Sequence, residues 1–228
     1  MITYAFIFAR GGSRGLPGKN IKALGGLPLI AHSIRLAQQF ESIKKVYVST
    51  DSDEIAAISQ HYLAEVIKRP DALASHTASE WLAWQHAIEF LQNRGEHFDI
   101  FLSLPTTSPL RNKQDVENCL NMLNDETDMV ITVTPSARSP YFNMVTRQED
   151  GDSHRIYGET LIHRRQDAPC TYDMTTVAYV SRPTYILNNH GLFDGKIKSV
   201  IVPKERAVDI DDQFDFIVAE TFYKMRKE

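Results

Sequence analysis

The chain has 228 residues, with 25 Lys and Arg against 29 Asp and Glu and a formal net charge of −4. That length suits one large domain with a substantial core, and the mild acidity excludes any general attraction to nucleic acid or an anionic membrane, so a polyanion has to be met by a local patch. Cys119 and Cys170 match no metal or redox spacing, the start MITYAFIFARGG has no basic n-region, and no apolar stretch nears the roughly 20 residues that cross a bilayer, which together predict a soluble cytoplasmic protein with reduced thiols.

The first strand-like run is YAFIF (4–8). FARGGSRGLPGKN (8–20) follows it, with four Gly and three cationic side chains ahead of a helical pattern over 28–40. There Leu29, Ile30, Ile34, Leu36 and Ala37 share a face, and Pro28 suits the first turn. Strand-like KVYVST (45–50) and AEVI (64–67) come next. A second helix is predicted over 77–95, with Trp81, Trp84, Ile88 and Leu91 as its stripe, Thr77 and Glu80 as a capping box and Gly95 as C-cap. FDIFLSL (98–104), DMVITVT (128–134), VAYV (177–180) and KSVIVP (198–203) complete the strands, and a last helix has an apolar stripe of Phe214, Ile217, Val218, Thr221, Phe222 and Met225. Alternation of strand and helix through the first five runs predicts a three-layer α/β domain, 1–228, with a mostly parallel sheet. Residues 135–176, polar and rich in Arg and Asp, interrupt it and read as an excursion, a hairpin arm suited to dimer contact.

In open α/β sheets, ligands collect at the carboxyl ends of strands, and glycine lets backbone N–H groups approach a phosphate. The 8–20 loop sits at such a place, and Arg10, Arg14 and Lys19 have the charge to neutralise a triphosphate. It matches neither G-x-x-x-x-G-K-[ST], because Asn20 follows Lys19, nor G-x-G-x-x-G. By spacing alone, a solvated basic turn and a phosphate cradle are equally good readings. Near the other end, VDIDDQF places Asp209 and Asp211 at alternate positions of an extended segment, both carboxylates on one face, with Val208 and Ile210 on the other. Two hard oxygen donors on one face suit Mg²⁺, and capping the last helix is the competing use of Asp211 or Asp212.

Six stretches in order, ARGGSRGLPGKNIKALGGLPLIAHSI (9–34), VYVSTDSDEIA (46–56), RPDALASHTAS (69–79), TSPLR (107–111), RRQDAP (164–169) and VDIDDQFDF (208–216), resemble the acylneuraminate cytidylyltransferases (CMP-sialic acid synthetases) over nearly the whole chain. The resemblance implies a Rossmann-like nucleotide-diphosphosugar transferase fold and a homodimer in which the arm reaches the partner. The implied reaction attaches CMP from CTP to a 2-keto sugar acid and releases pyrophosphate. Residue by residue it implies nucleotide binding by Arg10, Gly11, Gly12, Ser13, Arg14, Lys19, Asn20 and Arg69. It also implies Mg²⁺ on Asp209 and Asp211 with Asp212 as the cap, catalysis by Arg10, Lys19, Asp209 and Asp211, and acceptor binding by Thr107, Arg165, Gln166 and Tyr179.

The match departs from the family on the acceptor side. Where the sialic acid enzymes commonly read Arg, one residue, then Asn-Gly-Ala, this chain has Asp173, Thr175 and Thr176; Pro105 and Thr106 replace Gln and Pro, and Glu80 stands where a small hydroxyl is frequent. The phosphate and metal positions are intact, which implies that CTP-dependent transfer is kept while the sugar acid differs from N-acetylneuraminate. Two rival readings are a sugar-1-phosphate nucleotidylyltransferase, which needs a phosphate-binding acceptor site, and a non-catalytic nucleotide-binding homologue, for which a metal pair has no use.

Overall fold

The computed structural model describes residues 1–13, 15–157 and 162–226. A seven-stranded sheet takes its strands from along the whole chain: β1 (Thr3–Phe8), β4 (Ile43–Thr50), β5 (Glu65–Lys68), β6 (Ile100–Ser103), β7 (Met129–Pro135), β10 (Tyr172–Ser181) and β11 (Ile197–Ile201). The remaining strands form two small hairpins, β2 (Ala23–Leu24) with β3 (Leu27–Pro28), and β8 (Val145–Arg147) with β9 (Ser153–Arg155). The order in the large sheet is β11-β7-β10-β6-β1-β4-β5, and every pairing is parallel except those of β10. Six helices accompany it: α1 (Leu29–Ala37), α2 (Asp53–His61), α3 (Glu80–Gln92), α4 (Lys113–Met122), α5 (Pro183–Asn188) and α6 (Gln213–Met225).

Successive residues of a strand face opposite sides of a sheet, and a parallel sheet has to be covered on both. On one side Ala5, Ile7, Val46, Val48, Ile100, Leu102, Val130, Ala178 and Val180 pack under α1, α2 and α4. On the other, Tyr4, Phe6, Tyr47, Phe101 and Tyr179 meet Trp81, Trp84, Ile88 and Leu91 of α3 and Tyr185 of α5. The first face is aliphatic and the second aromatic, with Phe6 stacked on Phe101 at 4.6 Å and Trp84 lying 5.4 Å from Tyr179. A third apolar cluster joins Leu16 of the opening loop to Leu24, Leu29, Leu110, Ile210, Phe216 and Ala219. It fastens the segment before α6 underneath the loop that follows β1.

The strands lie where the apolar runs place them; three details at the helices differ from expectation. The second predicted helix begins later, at Glu80, with Ser79 as N-cap and no side-chain capping bond, so the Thr77–Glu80 box does not form. It ends at Gln92, and Gly95 takes its left-handed turn (φ 75°) beyond the C-cap residue Asn93. In α6 the inward face is Phe216 with Ala219, while Phe214, Ile217 and Met225 are 72%, 54% and 65% exposed. The narrow cluster beneath α6 accepts only part of a helix that is apolar around much of its circumference. Asp212 does cap α6: its carboxylate accepts from the N–H groups of Phe214 and Asp215, and Asp215 returns a bond to the Asp212 N–H.

Candidate active site

A cavity of about 490 Å³ opens at the carboxyl ends of β1 and β6, the place where open α/β sheets bind ligands. Remote pieces of chain build it: the loop after β1, Arg69 and the segment leading into α3, the run 105–107 after β6, Thr176 of β10, and the run 209–211 before α6. Lys19 joins the first piece to the last. Its ammonium donates to the Ile210 carbonyl at 2.6 Å and to Asp211 Oδ1 at 3.0 Å, a link across 191 residues of chain. The Ile210 N–H donates to the Thr107 carbonyl at 2.9 Å, and Arg206 forks onto the buried Asp115 carboxylate, holding the same run against the sheet. Gly15 packs so closely on the Asp211 carbonyl that a Cβ there would overlap it.

Asn20 is buried and spent on structure, donating to the Arg10 carbonyl and accepting from the Thr106 hydroxyl. Arg10 donates to the Ser75 carbonyl at 2.7 Å and so ties β1 to the segment before α3. Arg69, almost wholly buried, is clamped by Ser49 through Nε and Nη2 and lies 5.6 Å over the Phe8 ring. Desolvation lowers its pKa, with Asp51 and Glu80 opposing that shift. Ser13, Thr107 and Thr176 also line the cavity, the last two joined through their hydroxyls at 3.1 Å.

The aspartates are placed unequally. Asp209 Oδ1 is buried and has no hydrogen-bond partner among the described residues, whereas Asp211 is largely exposed and held by Lys19. A buried carboxylate oxygen without a donor is costly unless a cation meets it. No group of three or more His, Cys, Asp or Glu that could hold a metal is gathered among the described residues. One or two carboxylates completed by phosphate oxygens and water are nevertheless the donor set that hard divalent cations such as Mg²⁺ accept, so the pair fits such an ion. Behind it lies Arg111, fully buried, which donates to Ser33 Oγ and to the Pro105 carbonyl. Burial pushes its pKa down to about 9, with Asp115 and Asp209 pulling the other way, so its charge persists at neutral pH beneath the cavity floor.

Several expected site residues lie elsewhere. The Gly11 N–H is given to Asp51 Oδ1 at 2.9 Å, so it is not free for a phosphate, and Gly11 borders a small adjoining recess instead. Gly12 is exposed beside the cavity, and Arg14 lies outside the described residues. Tyr179 is packed into the aromatic layer against Trp84, and it is Thr176 of the same strand, not Tyr179, that lines the cavity. Arg165 and Gln166 line a separate hollow of about 430 Å³ with Ser136, Arg138 and Tyr172. Sequence reasoning passed over Arg111, which it quoted without a role, and assigned Glu80 to a cap; its only distinguishing sign was a large acid where a small hydroxyl is frequent.

The family model described as cytidylyltransferase matches residues 4–226. The post-translational flagellin modification protein B of Campylobacter coli is 33% identical over 96% of this chain and 93% of its own length. A CMP-N,N'-diacetyllegionaminic acid synthase of Campylobacter jejuni is also 33% identical, over 96% of this chain and 94% of its own. In fold, the chain superposes with a TM-score of 0.73 and 17% identity on a structure described as CMP:2-keto-3-deoxy-manno-octonic acid synthetase complexed with CTP, covering 99% and 100% of the two chains.

Proposed function

This chain belongs to the cytidylyltransferase family, and on that premise we propose that it transfers CMP from CTP to a nine-carbon 2-keto-3-deoxy sugar acid of the sialic or legionaminic class, releasing pyrophosphate. The observation that carries the reading is the convergence of Arg10, Lys19, Asp209 and Asp211 on one cavity at the carboxyl ends of the strands.

In the reaction the anomeric hydroxyl oxygen of the sugar acid forms a bond to the α-phosphorus, the bond to the pyrophosphate oxygen breaks, and the hydroxyl proton is released. Positioning and charge neutralisation are what a protein contributes to such a transfer. Arg10 and Lys19 stand against the triphosphate, and both are already pinned to backbone carbonyls, so little reorganisation accompanies binding. Asp209 and Asp211 would hold Mg²⁺, which would supply charge neutralisation at the phosphates. Thr107 and Thr176 offer hydroxyls to the acceptor.

Arg165 and Gln166 serve a second copy of the chain in this reading. The 135–176 arm carries exposed Met144, Val145, Ile156, Tyr157, Tyr172 and Met174, surface that a homodimer covers. The enzyme works in the cytoplasm, where CTP is made, and its product feeds transferases that build cell-surface glycans. The test is pyrophosphate release from CTP and Mg²⁺ against a panel of 2-keto sugar acids, with a sugar 1-phosphate as control. Release with a nonulosonic acid supports the reading, and release with the sugar 1-phosphate alone overturns it.

A further inference from the structure

Among the described residues, Glu80 is the one carboxylate lining the cavity apart from the aspartate pair. It occupies the first turn of α3 with its side chain toward the cavity, where Trp84 Nε1 donates to Oε1 at a long 3.4 Å. Among the described residues no donor reaches Oε2. Glu80 is exposed as a residue, but the protein packed around its carboxyl raises its pKa by desolvation, Asp209 adding to the shift and Trp84 and Arg69 opposing it.

An acid at this place needs a reason, since both proposed substrates are anionic. A carboxylate facing the triphosphate or the acid group of the sugar opposes binding. The uncharged part of CTP is its base, and the chemistry around Glu80 suits one. Arg69, which lines the cavity and is coupled electrostatically to Glu80, has its guanidinium held by Ser49 through Nε and Nη2, and among the described residues no partner takes Nη1. Phe8 beneath Arg69, Ala83 one turn along α3 from Glu80, and Leu73 supply apolar wall for a planar ring. A donor-only group beside an acceptor-only group matches the Watson–Crick edge of cytosine, which presents acceptors at O2 and N3 and an amine at N4. A carboxylate accepting from cytosine N4 is an established pairing. Uracil reverses the pattern, setting O4 against the carboxylate and an N3–H against the arginine.

We propose that Glu80 accepts a hydrogen bond from the exocyclic amine of cytosine and, together with Arg69, makes the cavity select CTP over UTP. The inference rests on the CTP reading above. It also accounts for an acid where related sequences use a small hydroxyl: base selection here is carried by a side chain.

The test measures dissociation constants of CTP and UTP from the fluorescence of the adjoining Trp84 and Trp81, and the CTP/UTP ratio of kcat/KM in pyrophosphate release. Three chains are compared, wild type, Glu80→Gln and Glu80→Asp. Loss of one such contact is expected to lower the binding ratio roughly 5- to 150-fold in Glu80→Gln. UTP should bind that variant more tightly than it binds wild type, because the amide can donate to O4; a merely structural role for Glu80 does not produce that gain. Glu80→Asp keeps the acceptor and should keep a preference for CTP, which covers the case of a poorly folded Gln variant. An unchanged ratio in Glu80→Gln overturns the proposal, as does a raised KM for the sugar acid with nucleotide selectivity intact. A wild-type enzyme with no preference between CTP and UTP overturns the CTP reading itself, a result separate from either.

Discussion

The loop after β1 and the 135–176 excursion both carry arginines matched to the family's substrate positions, yet they are held in opposite ways. In the loop, Lys19 is fixed to Ile210 and Asp211, Gly15 presses on the Asp211 backbone, and Leu16 is buried among Leu110, Ile210 and Phe216. In the excursion the bonds are mostly local: Arg164 pairs with Asp167 three residues on, and Gln148 closes a turn on Asp152. Arg165 reaches only the Ser136 carbonyl. Long-range bonds preorganise the loop for a ligand whatever its partner does. The locally held excursion leaves Arg165 and Gln166, two of the four expected acceptor residues, in a hollow apart from this chain's own cavity, while a third, Tyr179, is packed into the aromatic layer.

The contrast breaks most visibly at the metal end. Asp209→Asn should cut turnover by at least roughly 100-fold, as loss of a preorganised charge does. CTP affinity measured without Mg²⁺ should be nearly unchanged. Equal turnover in the variant and wild type under saturating Mg²⁺ refutes the metal role. Arg165→Ala tests the other region: with a carboxylate–arginine bond supplied to the partner's site, the KM for the sugar acid should rise about 10- to 150-fold while the CTP dissociation constant holds. An unchanged KM, or a monomer by light scattering with full activity, removes the arm from the mechanism.

The sheet was legible from sequence because its inner strands are buried on both faces. YAFIF and FDIFLSL are continuous apolar runs, and the structure places β1 and β6 within a few residues of them. A cap ahead of α6 was legible because an aspartate before an apolar helix is a local pattern, but only the family resemblance chose Asp212 over Asp211. The α3 start was not: Thr77 and Ser79 both offer cap chemistry, and Glu80 turns to the cavity and Trp84 instead of back to the chain. The phase of α6 was hidden because apolar residues surround it, so only the tertiary cluster picks Phe216 over Phe214. In the site, the meeting of Lys19 with Asp211 was available through family resemblance alone, since no local rule links residues so far apart. The place of Tyr179 depends on its packing into the aromatic layer against Trp84, which periodicity does not reveal.

Two stability measurements sharpen the account of the loop. Gly15→Ala forces a methyl into the Asp211 carbonyl, and overpacking of this kind costs about 1–3 kcal/mol. Urea unfolding should register that loss, with turnover falling more than the folded fraction if the 209–211 run is displaced. Asp212→Ala removes a cap worth about 1 kcal/mol, a change in urea midpoint that should leave the CTP/UTP ratio where it was. A shift of that ratio in Asp212→Ala would mean that the base end and the α6 end of the cavity are not independent.

The smallest effect expected is the pH dependence of Glu80. Its folded-state pKa is raised, first by desolvation, so the native state favours the neutral acid more than the unfolded chain does. The stability associated with that preference is present below the ordinary glutamate range and is lost as pH rises through the raised value. Glu80→Gln keeps a neutral group at every pH. Relative to wild type it should therefore gain stability as pH climbs from 4 to 7, by an amount small because the carboxyl still faces cavity water. Such a gain alongside lost CTP preference would identify Glu80 as a residue retained for recognition at a cost to the fold. A variant that loses stability over that pH range would instead make the Trp84–Glu80–Arg69 cluster part of what holds α3 on the sheet.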